Sequence, residues 1–271
     1  QKERALFNSC KLFGIPSVAV VDLSAAEKFD SAANKYADLF LVNNIGCSLE
    51  LRDLGVDPHK IVVAGSTYLE QLSQMRFSQE QKNISDYYGA NSSTILMPFF
   101  CGTDASLTVA AVTSLEKSIS SLNLGSLLVL VRPHPRCKER NSIMSACQQF
   151  DNIQYDSGNA ISTQELLSSV RVSLSMGSTT SLESIVMGAP SAFYLMGWDS
   201  SRYNGVLRNI PSVPTIRHSS EFKEFMDTTF HHPSNESDNT SPANLENYVG
   251  ALQRSWDAIR KLISTQEPPK M

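Results

Sequence analysis

Three short segments carry the residues best suited to chemistry, and each follows an apolar run. Arg132-Pro133-His134-Pro135-Arg136 sets one histidine between two prolines and two arginines. Proline fixes its own φ, so the turn is stiff. A rigid cationic loop suits a phosphate or diphosphate, because arginine forks onto oxygens and histidine donates a hydrogen bond. A plain proline turn with solvated arginines fits the same residues. Ser175-Met176-Gly177-Ser178-Thr179-Thr180-Ser181-Leu182-Glu183 is a Gly/Ser/Thr loop opening a helix, followed by Gly188-Ala189-Pro190. Free N–H groups and hydroxyls at a helix start suit an anion. Glu183, in the first turn, can accept from ribose hydroxyls. Thr180 and Glu183 equally have the spacing of a capping box, in which the carboxylate only closes the helix end. The third segment is Pro98 to Asp104. Gly102 lets the backbone approach a ligand closely, and Thr103 and Asp104 open a helix. A simple N-cap by Asp104 explains those residues too.

Other chemistry is poorly signalled. The Ser175–Glu183 segment lacks a Walker lysine and is not G-x-G-x-x-G, and the chain has no G-x-S-x-G. Asp22 follows an apolar run and can face a cleft, but acidic residues are common at strand ends without any such role. His59, beside Pro58, reads as an exposed turn residue. His231-His232 lies far from carboxylates or thiolates at metal-binding spacing and reads as a solvated loop. Trp198-Asp199 suits an acceptor wall or an aromatic packed under a loop. The five cysteines (Cys10, Cys47, Cys101, Cys137, Cys147) are odd in number and form no C-x-x-C. Scattered reduced thiols in a cytosolic protein fit better than a disulfide framework or a zinc ribbon.

These loops need elements to position them. The chain has 271 residues, 41% hydrophobic and 18% charged, which predicts globular structure and about two domains. A net charge of −4 argues against a basic nucleic-acid coat or a charge-held membrane protein. No apolar run reaches 18 residues, as a spanning helix needs, and the opening QKERALF is no signal core. The Asn-x-Ser/Thr matches at Asn83, Asn91, Asn235 and Asn239 therefore read as polar loops.

Apolar runs alternate with helical patterns along the chain. Helical spacing covers 2–13, and Ser24 with Glu27 predicts a capped helix to about Ala37. Ser17–Val21, Leu39–Val42 and Ile61–Ala64 are expected strands, with a helix from Ser48 to Leu54. Ile95–Met97, Leu127–Val131, Asn152–Tyr155, Val170–Leu174 and Ser191–Leu195 continue the series. Helices are expected at Ala105–Leu122, Glu139–Gln149, after the Ser162/Glu165 capping box, and at Thr180–Met187. Residues 243–263 place Leu245, Val249, Leu252, Trp256, Ile259 and Leu262 on one amphipathic face. Continuous apolar strands separated by helices predict parallel sheets covered on both faces. The division read from this pattern is 1–77 for one domain, 78–93 for a linker and 94–230 for a complete doubly wound domain. A polar loop at 231–242 and a final helix and tail at 243–271 follow. The first domain shows only three strands and the chain opens with Gln1, so an earlier segment of that domain is expected.

GIPSVAVVD, ADLFLVNN, LRDLGVDPHKIVVAGSTYLEQL, RPHPR and MGSTTSLESIVMGAP, in that order, resemble the GT-B sugar-nucleotide superfamily over about residues 5–200. Within it the resemblance is to non-hydrolysing UDP-N-acetylglucosamine 2-epimerases, CDP-glycerol glycerophosphotransferases and bacterial surface-polysaccharide glycosyltransferases. The resemblance implies two Rossmann-like doubly wound domains, the first incomplete here. It implies that Gly177, Ser178 and Thr179 meet donor phosphates, with Arg132, Gly102 and Thr103 near the nucleotide. Glu183 would hold the ribose or cap the helix. His134 would be catalytic, contacting the phosphate or leaving group, and the catalytic base would lie before Gln1. The implied activity is metal-independent sugar transfer, with no cofactor and no D-x-D motif, from a nucleotide sugar to a glycan or lipid-linked acceptor. The implied setting is the cytoplasm or the inner face of the membrane, with at most peripheral association. Relatives of epimerase type carry Gly-Gly and paired Glu where this chain has Gly177-Ser178 and Glu183 alone, which favours a transferase. A sugar-nucleotide epimerase and a non-catalytic nucleotide-sugar-binding module are the alternatives.

Overall fold

The computed structural model describes residues 2–21, 36–75, 84–91, 93–122, 126–197, 213–231 and 249–265. The chain divides into two compact units. In the first, helix α1 (Lys2–Leu12) leads to strand β1 (Val18–Val21). Strand β2 (Leu39–Val42), helix α2 (Ile45–Asp53), strand β3 (Ile61–Val63) and helix α3 (Thr67–Met75) follow. The strands are parallel in the order β1-β2-β3. Successive side chains of a strand point to opposite faces, and β2 shows why its apolar run is unbroken. Phe40 and Val42 pack with Cys47 and Leu51 of α2. Leu39 and Leu41 pack with Ala258, Ile259 and Leu262 of the final helix, α10 (Ala251–Thr265). Glu70 of α3 receives the N–H groups of Gly250 and Leu252 at 2.6 and 3.0 Å, satisfying donors at the start of α10.

The second unit begins at Leu72, within α3, and continues with a helical turn, α4 (Ile84–Tyr87), and strand β4 (Ile95–Phe100). Helix α5 (Ala105–Ser120), strand β5 (Leu127–Arg132), helix α6 (Arg140–Cys147) and strand β6 (Ile153–Tyr155) come next. After them run helix α7 (Thr163–Leu167), strand β7 (Ser173–Ser175), helix α8 (Thr180–Val186), strand β8 (Ser191–Tyr194), strand β9 (Thr215–Ile216) and helix α9 (Ser219–His231). The parallel sheet has the order β6-β5-β4-β7-β8-β9. Met97, Phe99, Val129, Val131 and Leu174 face one core with α5, α6 and α9. Leu96, Phe100 and Leu130 face the other with Ile84, Tyr88, Leu166, Leu167 and Met187. Both faces are covered, as the apolar strands require. Among the described residues no helix is long and apolar enough to cross a membrane.

Several expectations are corrected. Strand β4 runs through Pro98 to Phe100 instead of ending at Met97. Its ladder with β7 begins only at Phe99, so the missing proline N–H falls where that neighbour has not yet started. Strand β7 is Ser173–Ser175 rather than Val170–Leu174, because its partners Phe99, Phe100 and Ser191–Phe193 set its length. Strand β9 and α9 were not expected, and α9 carries residues to His231, so His231 ends a helix rather than opening a loop. The Ser162–Glu165 capping box is present in full. All five cysteines are free. The Ser24–Ala37 helix (apart from its last residues), Asp22, Trp198-Asp199, His232, and 243–248 of the last helix lie outside the described residues.

Candidate functional site

Ligands of open α/β sheets bind beyond the carboxyl ends of the strands, at the point where the strand order reverses. Counted within the second unit, the order is 3-2-1-4-5-6, so the reversal lies between β4 and β7. Arg132, Phe100 and Ser175 form one row across β5, β4 and β7. The next residues continue it: Cys101 N–H donates to Arg132 O at 3.0 Å and Met176 N–H to Phe100 O at 2.8 Å. The three segments singled out in the sequence thus leave the sheet side by side.

The middle segment turns through half-buried Gly102 and exposed Thr103 into α5. Asp104 is the N-cap, its Oδ1 accepting from Leu107 N–H at 3.1 Å and from the Ser106 hydroxyl at 2.7 Å. The capping role is realised, and the side chain fills the helix end that an anion would use. Thr103, Asp104, Ala105 and Ser106 line one side of a cleft of about 670 Å³, and Arg136, Lys138 and Glu139 line the other.

The β5 segment is held from within. Pro135 O and Cys137 O both accept from the Arg140 guanidinium, at 2.5 and 3.2 Å, and Cys137 N–H donates to His134 O at 2.9 Å. His134 is half-buried, and its Nδ1 accepts from Arg136 N–H at 3.0 Å. Burial, with the charges of Arg136 and Arg140, holds the imidazole pKa below the ordinary histidine value. The ring is therefore neutral at pH 7 with its proton on Nε2, a donor for an external oxygen.

Arg132 lies elsewhere than a phosphate ligand would. It is 6% exposed, with Nε on Asp156 Oδ2 at 2.7 Å and Nη1 near Thr163 Oγ1 at 3.4 Å. Nη2 sits close to the same carboxylate oxygen but without hydrogen-bond alignment. Asp156 also receives the Tyr88 hydroxyl at 3.0 Å and Gly158 N–H at 2.9 Å. The burial of Tyr88 and the Asp156 charge raise that phenol's pKa. Gly158 has φ +72, a conformation that favours glycine, and its Cα faces the Arg132 side chain. The cations exposed beside the cleft are Arg136 and Lys138. Tyr88, Asp156 and Thr163 were not anticipated, because their partners are 24 to 68 residues away in sequence.

The β7 segment closes on itself. Gly177 has φ +73. Ser178 N–H donates to Ser175 Oγ at 3.1 Å, Thr180 N–H to Ser178 Oγ at 3.3 Å, and Ser181 N–H to Ser178 O at 3.2 Å. The N-cap of α8 is Thr179, which makes no side-chain cap bond. Thr180 is the first helical residue and Glu183 the fourth, so the expected Thr180–Glu183 capping box is not formed. Glu183 is 7% exposed, which leaves little of it to meet a ligand. Thr180 Oγ1 is buried without a hydrogen-bond partner. Among the described residues no group of three or more His, Cys, Asp or Glu is placed to hold a metal ion.

No protein-family profile matches the sequence, and no curated protein matches it in sequence. Solved structures do match in fold. The UDP-N-acetylglucosamine 2-epimerase of Neisseria meningitidis, bound to UDP-GlcNAc, has a TM-score of 0.64 at 12% identity over 97% of this chain and 73% of that one. Anabaena HepE, in complex with UDP and glucose, has a TM-score of 0.58 at 10% identity over 96% and 74%. A glycosyltransferase of Rickettsia africae has a TM-score of 0.59 at 12% identity over 97% and 81%. At these identities the likeness is one of fold. The chain is an α/β protein with two parallel sheets and GT-B-like architecture.

Proposed function

We propose that the chain transfers a sugar from a nucleotide-activated donor to a glycan or lipid-linked acceptor in surface-polysaccharide or glycoconjugate synthesis. The observation that carries this reading is the row Arg132–Phe100–Ser175, from which the three candidate segments emerge together at and beside the switch point. The likeness in fold to proteins solved with UDP-GlcNAc or UDP supports a nucleotide as the ligand class.

In this reading Gly102 and Gly177–Thr179 border the diphosphate, and His134 Nε2–H donates to it. Arg132 acts from inside, fixing the end of β5 through Asp156. Transfer breaks the bond between the anomeric carbon and the diphosphate oxygen and forms one to an acceptor hydroxyl oxygen, whose proton passes to a base. The nucleoside diphosphate leaves with the developing negative charge, which preorganised donors stabilise. The reaction would run in the cytoplasm or at the inner membrane face. Epimerisation is the second reading, favoured by the fold likeness to the Neisseria enzyme. Glu183 as the only acid of its segment speaks against it.

Thermal-shift titration with UDP, CDP, CMP and GDP tests the first step. A ligand at 100 times its Kd adds about 2.7 kcal/mol of stability, so one of them is expected to raise the melting temperature clearly. With UDP-N-acetylglucosamine and no acceptor, a transferase leaves the sugar configuration unchanged and an epimerase turns over. In the same assay with acceptor, His134→Ala is expected to lower transfer by about 10²-fold or more, far beyond its effect on stability. Failure of all four nucleotides to bind would overturn the proposal.

A further inference from the structure

The seam between α8 and the sheet is built from hydroxyls where a helix and a sheet ordinarily pack apolar side chains. Ser173 and Ser175 are on β7, Ser191 on β8, and Ser181 and Ser184 on the facing side of α8. All five are 2% exposed or less. Ser173 and Ser191 are register partners. The oxygens form a continuous path. Ser175 meets Ser181 at 2.8 Å, Ser181 meets Ser191 at 3.0 Å, and Ser191 meets Ser173 at 2.8 Å. Ser173 then meets Ser184 at 2.8 Å, and Ser184 donates to Ala189 O at 3.0 Å. At its other end the path leaves the interior, where Ser175 Oγ accepts Ser178 N–H at 3.1 Å.

A buried hydroxyl left unpaired costs about 1–3 kcal/mol, so such a seam is tolerable only when its members satisfy one another. The donors run outward from Ser173, which donates to Ser191 or to Ser184, while Ser191 donates to Ser181 and Ser184 to Ala189 O. The Ser175–Ser181 contact admits the proton of either hydroxyl, and Ser175 also lies 3.5 Å from Ser178 O. In either arrangement the Ser175 oxygen keeps a lone pair to accept Ser178 N–H. The interior of the seam and the shape of the Gly177–Thr179 turn meet at this one oxygen.

We propose that the buried serine path orders the Gly177–Thr179 turn, with Ser175 as its positioning residue. The consequence for ligand binding rests on the nucleotide reading above. Two readouts separate the claims. In amide hydrogen exchange on the full chain, Ser175→Ala is expected to speed exchange at Ser178 by tenfold or more. Ser184→Ala, at the far end of the path, is expected to leave that amide within twofold while lowering the melting temperature. Ser175→Cys keeps the volume with a weak acceptor, and it serves as the second variant should alanine perturb the fold. In UDP titration, Ser175→Ala is expected to weaken affinity about tenfold and Ser184→Ala less than twofold. Unchanged Ser178 exchange in both Ser175 variants overturns the proposal, and so does an equal effect of Ser184→Ala. Wild-type protein that binds no nucleotide overturns the functional reading, and the exchange contrast then decides the positioning role alone.

Discussion

Replacing Asp156 by asparagine probes the buried pair beneath the β5 segment. The substitution keeps the side-chain shape and removes the charge, so Arg132 stays 6% exposed with no counter-ion. Three donors converge on the carboxylate: Arg132 Nε at 2.7 Å, the Tyr88 hydroxyl at 3.0 Å and Gly158 N–H at 2.9 Å. An amide offers one oxygen, so at least one of these donors faces an NH₂ group. Unit charges about 4 Å apart attract by about 4 kcal/mol at an effective dielectric of 20. Removing one partner of a buried pair costs about 3–5 kcal/mol. At 1.36 kcal/mol per tenfold, the opening equilibrium shifts by roughly 10²- to 10⁴-fold. Native-state hydrogen exchange at β4–β6 amides is the suitable assay, because it reads the second unit separately from the first. Arg132→Met with Asp156→Leu removes both charges and is expected to recover most of the loss. A loss below about 1 kcal/mol in Asp156→Asn, or a double variant as damaged as the single, would refute the assignment of Arg132 to an internal role.

Two further outcomes follow from the same structure. Glu70→Ala leaves Gly250 and Leu252 N–H without their acceptor and is expected to destabilise α10 by about 1–2 kcal/mol. Faster amide exchange confined to the start of α10 checks this. His134 has a folded-state pKa below its unfolded value of about 6.5, because burial and two arginines disfavour its charge. Its contribution to stability is present above about pH 6.5 and is lost as pH falls toward the folded value. Stability–pH curves of wild type and His134→Asn are expected to converge in that window, and parallel curves would contradict the assignment.

The sequence made the repeated strand–helix alternation visible because fully buried strands are continuous apolar runs. Leu39–Val42 and Leu127–Val131 reappear with little change. Local capping was legible where both partners lie within one turn, as at Ser162–Glu165. It misled at Thr180–Glu183, because the same spacing occurs one residue inside the helix. Helix α9 had a readable pattern in Phe222, Phe225, Met226 and Phe230. Its start is fixed by Glu221, which receives Arg217 and His218 N–H, a carboxylate reaching back rather than an N-cap side chain. The three candidate segments were found because glycine, proline, histidine and hydroxyl residues cluster after strands. The direction in which Arg132 points was not legible, since Asp156 and Tyr88 come from other elements. The five serines of the α8 seam were in view too, but alternation on a strand and i, i+3 spacing on a helix look like ordinary polar loops until the elements are brought together.

A crystal structure of the protein with UDP, or with whichever nucleotide stabilises it most, tests the central claim most directly. The account predicts the phosphates beyond the carboxyl ends of β4 and β7, beside Gly102 and Gly177–Thr179, with one oxygen within about 3 Å of His134 Nε2. A nucleotide bound at another surface, or phosphates far from His134 and the Gly177 turn, would contradict it.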